Sequence, residues 1–397
     1  FALFNWAAGK HEGIVGLVYF IVIYIIYFIG YTLNNIGGGA VGMVLTNDPK
    51  QRGMVGLIGT MYSYITPMVF NSIVAFSILP RYGNQYNAAM LKEACYWYAL
   101  AGGVFVLVAC IALMRSDTIE IFNACKPPKK EEEKNQKLGF KEMCGILKGN
   151  RPLQMMIIAT ASDKIATTTA SQSLVNTLLA GILIGSYTAS TMVGNVSMLV
   201  GIAFAFIGGA MIGKKGSKYT TVLWTWISLI ANVIMIAACF ILYSHGKMTT
   251  IGTALIPTLI YCLLMIIKQG AQMAVTTANT AMMADVADYE ITRSGQYIPG
   301  IVSNIKSLLD KIISSFGNAI AAFMITFIGY KTITPQMGDP ATWPLFWMSM
   351  FLSFGLPIIG FACTIVAMKW YDLTKEKMQD VAQAIHNNEE ANKNQYR

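Results

Sequence analysis

Long apolar runs recur along the chain and are separated by mostly short polar connections. About 20 apolar residues in a helix are needed to cross a hydrocarbon core roughly 30 Å thick. The runs lack the strict alternation of apolar and polar residues that is typical of membrane β-barrels. We therefore predict an all-α integral membrane protein with nine spans, near residues 14–44, 53–80, 93–114, 152–182, 186–212, 218–244, 250–284, 300–329 and 343–371.

The composition of the chain supports a membrane protein and disfavours an enzyme. Of its 397 residues, 55% are hydrophobic and only 12% are charged, which is far from the balance of a soluble domain. The seven cysteines are scattered without a Cys-x-x-Cys pair, and the three histidines are far apart in sequence. We therefore expect neither disulfides nor a metal site, and no cofactor. No nucleophile and base pair is visible, so a membrane enzyme is a poor alternative.

The basic residues are concentrated in one set of alternating connections, which predicts the orientation of the chain. That set contains Lys50, Arg52, nine basic residues from Arg115 to Arg151, Lys214, Lys215, Lys218 and Arg293. The opposite set contains Arg81, Lys92, Lys247 and Lys331. Because positive connections stay on the cytoplasmic side, the first set and the tail after Lys369 are predicted to be cytoplasmic.

This charge distribution also bears on location and partners. The net charge of +9 needs no nucleic-acid partner, since most of it lies in the cytoplasmic segments. We expect a multi-pass protein of the cytoplasmic membrane whose partners are the lipid bilayer and a small-molecule substrate. We also expect a monomer.

One long polar connection divides the chain. Six spans follow it and three precede it, and six plus six helices around a long central loop is the layout of the major facilitator transporters. The opening letters FALF are interpreted as the end of a third helix, with helices 1–3 missing in front. The predicted organisation is a partial N-terminal bundle (1–114, end of helix 3 to helix 6), a central cytoplasmic loop (115–151), a C-terminal bundle (152–371, helices 7–12) and a cytoplasmic tail (372–397).

Several predicted spans carry charged residues at membrane depth. Asp310 and Lys311 lie about ten residues into their span, roughly 15 Å at 1.5 Å per residue, and Asp163, Lys164 and Lys268 are similarly central. An ionised residue at that depth costs about 2.5–3.5 kcal/mol, so cavity water, a partner or a ligand must offset it. One interpretation is structural, with an Asp–Lys pair joining two helices. The surplus of lysines over aspartates instead favours a water-filled cavity for a substrate with negative charge.

Uncharged polar residues cluster at the same depth. Gln272, Thr276 and Asn279 follow Lys268, and several Thr, Ser and Gln residues follow Lys164. Ser and Thr also help membrane helices to pack closely, but amide groups in a cavity suit a hydroxyl-rich ligand. In the first span, Tyr31 and Asn35 lie four residues apart on one helix face. The predicted substrate-binding set consists of nine residues: Tyr31, Asn35, Asp163, Lys164, Lys268, Gln272, Thr276, Asn279 and Lys311.

Two stretches resemble a known transporter family. The segment NNIGGGAVGMVLTNDPKQRG is similar to the exit of the fourth helix in the glycoside-pentoside-hexuronide:cation symporters, the melibiose permease family, with its D-P-x-x-R pattern. The segment MMADVADYEITRSGQYIPGIVSNIKSLLDK is similar to that family's A-D-x-x-D-Y segment after the tenth helix. The resemblance continues through the closing YDLTKEKMQDVAQAI and so covers almost the whole chain.

The resemblance implies roles for individual residues. Lys311 falls on the family's functional lysine of helix 11, and Tyr31 and Asn35 fall on fourth-helix positions linked to cation and sugar. The glucuronide carriers resemble this chain in having Asn at position 35, where melibiose carriers have Asp; losing that carboxylate weakens a sodium site. Cation coupling, with H⁺ or Na⁺, is predicted at Asn35, Asp310 and Lys311. The predicted cytoplasmic gate, whose ion pairs break as the two halves rock, is Asp48, Arg52, Asp285, Asp288 and Arg293.

These patterns lead to one preferred function and two alternatives. We expect a secondary active transporter, a cation-coupled symporter that moves a small, anionic glycoside or hexuronide by alternating access. One alternative is a sensor or scaffold that keeps the fold without transporting. The other is a transporter of a non-sugar organic anion.

Overall fold

The computed structural model describes residues 13–44, 62, 64–114, 145, 147–294, 299–330 and 334–384. Within these ranges the regular secondary structure is entirely helical, which confirms the predicted all-α class. The chain forms two compact units, Phe1–Gln136 and Lys137–Arg397.

The first unit contains three described helices. They are α1 (Gly13–Val44), α2 (64–81, with a π-helical turn at Val74–Ile78) and α3 (Ala88–Leu113). The turn before α3 ends at Asn87, whose side chain accepts a hydrogen bond of 2.8 Å from the backbone N–H of Met90. Such a cap satisfies one of the backbone donors that the first helical turn leaves without a partner. Within α3, Glu93 accepts hydrogen bonds from Arg81 at the end of α2 and from Tyr82 in the turn.

The second unit contains the remaining helices. They are α4 (Arg151–Ala170), α5 (Ser173–Leu183), α6 (Tyr187–Lys215), α7 (Ser217–Ser244), α8 (Leu255–Ser294), α9 (Pro299–Thr326), α10 (Trp343–Lys369) and α11 (375–384). The predicted span 152–182 is not one continuous helix. It is interrupted where Gln172 adopts an extended backbone, with φ −66° and ψ 144°, and α5 begins at the next residue.

Six of the described helices are long and apolar enough to cross a membrane. They are Gly13–Leu33, Ala88–Ala112, Tyr187–Lys215, Ser217–Ser244, Leu255–Glu290 and Trp343–Lys369. Three of the nine predicted spans are therefore not reproduced as such. The span 152–182 is interrupted, α9 is made more polar by Asp310 and Lys311, and residues 53–61 and 63 of the span 53–80 lie outside the described residues.

Helix α4 lies against α9 on one side and α10 on the other, and glycines bring the three helices close. Gly317 of α9 faces Thr168, and a Cβ at Gly317 would lie 2.9 Å from the Thr168 methyl carbon. Gly360 of α10 faces the backbone of Ser162, where a Cβ would lie 2.8 Å from the carbonyl oxygen. The hydroxyl of Thr364 donates to the carbonyl oxygen of Ala159 at 3.1 Å. Small residues and interhelical hydrogen bonds of this kind hold membrane helices together.

Helices α6 and α8 also make close contact. A Cβ at Gly208 would lie 3.0 Å from the Cβ of Ala274, and one at Gly201 would meet the sulfur of Met273. Gly270 in turn faces the ring of Phe204. These contacts fix the position of α8, which carries most of the polar residues of this unit's interior.

The end of α8 that carries Arg293 is covered by the segment after α10. Tyr371 and Leu373 are buried in an apolar cluster with Leu153, Met156 and Val286. Lys375, at the start of α11, donates through Nζ to the carbonyl oxygen of Lys214 at 2.8 Å. The predicted tail from residue 372 is thus packed on the second unit at least as far as Val381, which is buried.

Candidate functional site

A cavity of about 410 Å³ lies between α4, α8 and α10. Its lining consists of Lys164, Thr167, Thr168, Ala170, Ser171, Lys268, Gln269, Gln272, Pro357 and Phe361. Pockets that bind small molecules are typically about 300–1,000 Å³ in volume. The cavity is therefore large enough for a small ligand, and seven of its ten lining residues have polar side chains.

Helix α4 supplies a polar stripe to the cavity. Lys164, Thr167, Thr168 and Ser171 follow the i, i+3, i+4, i+7 spacing of one helix face. The Thr167 hydroxyl donates to the carbonyl oxygen of Asp163 at 2.9 Å, and Ser171 donates to that of Thr168 at 3.0 Å. Because their protons are engaged within α4, these hydroxyls are left to accept hydrogen bonds from a ligand.

Lys164 forms an ion pair that joins α4 to α9. Its Nζ lies 3.2 Å from a carboxylate oxygen of Asp310, and the two side chains are 39% and 45% exposed. A pair this open to its surroundings contributes on the order of 1 kcal/mol or less. This pair therefore agrees with the structural interpretation, an Asp–Lys pair that joins two helices, and its two charges cancel beside the cavity.

Lys268 is the other lysine of the lining, and its surroundings differ. Its Nζ lies 4.5 Å from the centre of the Phe354 ring on α10, a cation–π contact. Within the described part of the chain, no carboxylate lies within 4.0 Å of this ammonium. Lys268 therefore gives the cavity a positive charge that no described carboxylate cancels through an ion pair.

The carboxylate of Asp163 points toward α8. Successive residues on a helix point about 100° apart, so Asp163 contacts α8 while Lys164 contacts α9. Both oxygens of Asp163 accept from Nε2 of Gln272, at 3.2 and 3.0 Å. The Asp163 side chain is buried, with 7% of the residue exposed. Gln272 thus links a buried carboxylate to the cavity wall.

The remaining polar residues predicted on α8 and α9 lie outside this lining. Thr276 is exposed, and its hydroxyl donates to the backbone of Gln272 at 3.0 Å. Asn279 is buried, and its side-chain oxygen finds no hydrogen-bond partner among the described residues. Lys311 is exposed, next to the ion-paired Asp310. Of the nine predicted substrate-binding residues, the cavity lining contains Lys164, Lys268 and Gln272, with Asp163 bound to Gln272.

The predicted residues of the N-terminal bundle belong to the other unit. Tyr31 lies on α1, where its ring is near those of Tyr27 and Phe28 and the residue is 48% exposed. The backbone of Asn35 is in α1, but its side chain lies outside the described residues, as do Asp48 and Arg52. Their assigned roles stay predictions.

Two of the three predicted gate residues of α8, Asp285 and Arg293, have identifiable partners within the second unit. The buried Glu290 accepts hydrogen bonds from Arg293 at 2.8 and 2.7 Å, and from the side-chain amide of Asn150 at 2.8 Å. The hydrogen bonds with Glu290 hold the pKa of the Arg293 guanidinium above its ordinary value. Asp285 accepts from the hydroxyl of Ser217, and Asp288 is half-buried. The role of this cluster as a gate stays a prediction.

Sequence reasoning missed two contributions to these sites. Phe354, Pro357 and Phe361 place α10 against Lys268 and the cavity, but in sequence they look like any apolar stretch. Asn150 both caps α4, by accepting from the backbone N–H of Leu153, and binds Glu290. The Asn-x-Pro pattern at the start of a helix could have indicated the cap, although not the contact with α8.

Metal binding gets no support from the described residues. Among them, no three His, Cys, Asp or Glu side chains are grouped so that they could hold a metal ion. The chemistry available at the cavity is that of a positive charge, amides, hydroxyls and aromatic rings. Such a set can bind and orient a polar ligand.

Comparison with known proteins identifies the class of protein. A family model described as MFS/sugar transport protein matches residues 1–375. The chain is also 21% identical, over 387 residues, to the uncharacterized symporter YjmB of Bacillus subtilis (strain 168). That alignment covers 93% of this chain and 73% of the symporter.

Proposed function

The chain belongs to the MFS/sugar transport protein family, and we propose that it is a cation-coupled symporter of a small glycoside or hexuronide that carries negative charge. The family match confirms the resemblance to sugar symporters and the predicted major facilitator fold, and it places the chain in a family of membrane transporters. The name of the Bacillus relative, a symporter, supports the proposal of cation coupling.

The main support for an anionic substrate is the environment of Lys268. The Lys164–Asp310 pair is neutral, and Asp163 is buried behind Gln272. Lys268 is left at the cavity wall without a described carboxylate partner, so a bound anion would offset the cost of keeping its charge in the membrane. The aromatic ring of Phe354 beneath the ammonium stabilises it only in part.

The rest of the lining supports a sugar. Gln269 and Gln272 offer amide groups, and Thr167, Thr168 and Ser171 offer hydroxyl oxygens. Ring hydroxyls of a monosaccharide both donate and accept, so they match such a mixed set of donors and acceptors. In the proposed cycle Asn35, Asp310 and Lys311 take part in coupling to H⁺ or Na⁺. The gate set of Asp48, Arg52, Asp285, Asp288 and Arg293 closes the cytoplasmic side, and the protein works as a monomer in the cytoplasmic membrane.

Two matched probes test the proposal. Methyl β-glucuronide and methyl β-glucoside differ in that a carboxylate in the first replaces a hydroxymethyl group in the second. Uptake of each into proteoliposomes would be measured under imposed pH and Na⁺ gradients. We expect gradient-driven uptake of the glucuronide, in preference to the glucoside.

Each other result has a defined meaning. Preference for the glucoside would contradict an anionic substrate. Uptake of neither, but of a non-sugar organic anion, would favour the alternative transporter. Binding without accumulation under any gradient would favour the sensor or scaffold.

A further inference from the structure

Asp163 is a buried carboxylate whose environment has no role in the proposed function. The residue is 7% exposed, in the middle of α4. Both of its carboxylate oxygens accept from the same neutral donor, Nε2 of Gln272 at 3.2 and 3.0 Å. No other described group hydrogen-bonds or ion-pairs with this carboxylate.

The charged groups nearest to Asp163 along the chain and on the packed helices are engaged elsewhere. Lys164, its neighbour on α4, binds Asp310 of α9 at 3.2 Å. Lys268 of α8 lies over the ring of Phe354, and Lys311 of α9 is exposed. The part of α10 that packs on α4 has Cys363 as its single titratable side chain, and that residue is exposed. Within the described residues, then, no cation compensates Asp163 through an ion pair.

We propose that Asp163 is the binding site of the co-transported proton and that Gln272 transmits its protonation state to the substrate cavity. A buried carboxylate with only a neutral partner is strongly destabilised in its ionised form, and binding one proton from water removes its charge. The step needs no other reactant, because the proton adds to one carboxylate oxygen and leaves from it again. The inference rests on the proposed function for the substrate that the proton accompanies.

The geometry explains how the proton and the substrate are coupled. An ionised Asp163 can accept from the Gln272 amide with both oxygens, whereas the protonated acid has one oxygen that donates. Rotation of the Gln272 amide then turns its oxygen toward the acid and its NH₂ group away. Because Gln272 lines the cavity, this rotation changes which hydrogen-bonding group the substrate meets.

Asp310, to which the proposed function gives a part in coupling, is the matched alternative for the group that binds the proton, and its setting argues against proton binding there. It is 45% exposed and is paired with Lys164. Its charge is thus offset by a cation and by open surroundings, and proton binding would leave the Lys164 charge unpaired. Asp163 is buried and forms no ion pair among the described residues, and Lys164 acts on it only through space while bound to Asp310, so proton binding relieves the larger penalty at Asp163.

Infrared titration of the full chain tests the proton site without a substrate. The carbonyl stretch of a protonated carboxylic acid would be followed against pH in detergent, for the parent, Asp163→Asn and Asp310→Asn. We expect a titrating band in the parent that is lost in Asp163→Asn and kept in Asp310→Asn. A band that survives in Asp163→Asn, or that only Asp310→Asn removes, would overturn the proposal.

A second variant covers the case in which Asp163→Asn fails to fold. Gln272→Leu keeps the carboxylate but removes its hydrogen-bond donor, so we expect the titrating band to remain with a changed midpoint. An unchanged midpoint would contradict the contact between Gln272 and the proton site.

Transport then tests the coupling. If the parent accumulates methyl β-glucuronide under a pH gradient, Asp163→Asn should exchange it across the membrane but lose the accumulation. Accumulation that stays gradient-dependent in Asp163→Asn would place the proton elsewhere. If the parent takes up neither glycoside, the proposed function fails instead, and the infrared titration still decides the proton site.

Discussion

Replacing Lys268 by Met should remove the preference for an anionic substrate. Met keeps most of the length and apolar contact of the Lys stem but has no charge. An ammonium and a carboxylate about 4 Å apart attract by about 4 kcal/mol at an effective dielectric constant near 20. Desolvation of both groups reduces this, and a hydrogen bond to a charged group contributes a net value of about 1.5–3 kcal/mol. We therefore expect glucuronide affinity to fall about 10- to 100-fold, at 1.4 kcal/mol per factor of ten.

The assay is equilibrium binding of methyl β-glucuronide and methyl β-glucoside to the purified full chain, with parent and variant compared for both ligands. The neutral glucoside should change by less than about 3-fold in Lys268→Met, because it has no charge for Lys268 to attract.

The chain offers a control that leaves the net charge constant. Lys164 and Asp310 form an ion pair, so the double variant Lys164→Met with Asp310→Leu removes one charge of each sign. We expect it to keep the preference for the glucuronide. Equal losses for both glycosides in Lys268→Met, or a lost preference in the neutral double variant, would refute the assignment of the positive charge to Lys268.

Two further predictions concern stability, measured as the midpoint of thermal unfolding in detergent. Gly208→Ala should destabilise by about 1 kcal/mol or more, because its Cβ would lie 3.0 Å from that of Ala274. Gly209→Ala, whose Cβ would meet its nearest neighbouring atom only at 4.0 Å, is the control, and equal effects would contradict the close packing of α6 and α8. Glu290→Gln should destabilise by about 1.5–3 kcal/mol, because it weakens charge-assisted hydrogen bonds at a residue that is 1% exposed. Asp288→Asn is the control and should change stability by about 0.5 kcal/mol or less. A larger loss of stability in Asp288→Asn than in Glu290→Gln would contradict a stabilising role for the hydrogen bonds of Glu290 with Arg293 and Asn150.

Much of the fold could be predicted from the sequence, since a lipid environment restricts a spanning chain to helices or closed barrels. The length of each apolar run then indicates a membrane span. The interruption at Gln172 could not be predicted, because neither Gly nor Pro marks it in the sequence. The polar character of α9 was visible in Asp310 and Lys311. The sequence did not show that Asp310 forms an ion pair with Lys164 of α4.

Sequence reasoning indicated some of the polar residues at the cavity but not their pairings, and the binding roles of the predicted residues stay predictions. Depth along each span placed Lys164, Lys268 and Gln272 at one level, and the structure brings all three to one cavity. Sequence could not show that Asp310 pairs with Lys164, nor that Asp163 binds Gln272, because these choices depend on the rotation of neighbouring helices. The contribution of Phe354 was also hidden, since an aromatic residue in an apolar run is usually part of the core.

The central claim is that the chain transports an anionic sugar derivative with the help of an ion gradient. The most direct measurement is uptake of methyl β-glucuronide into proteoliposomes of the parent protein, with an imposed pH gradient, an imposed Na⁺ gradient, or neither. The account predicts accumulation above equilibrium under the pH gradient, with much less for methyl β-glucoside. Equal uptake with and without each gradient, or preferential accumulation of the glucoside, would contradict it.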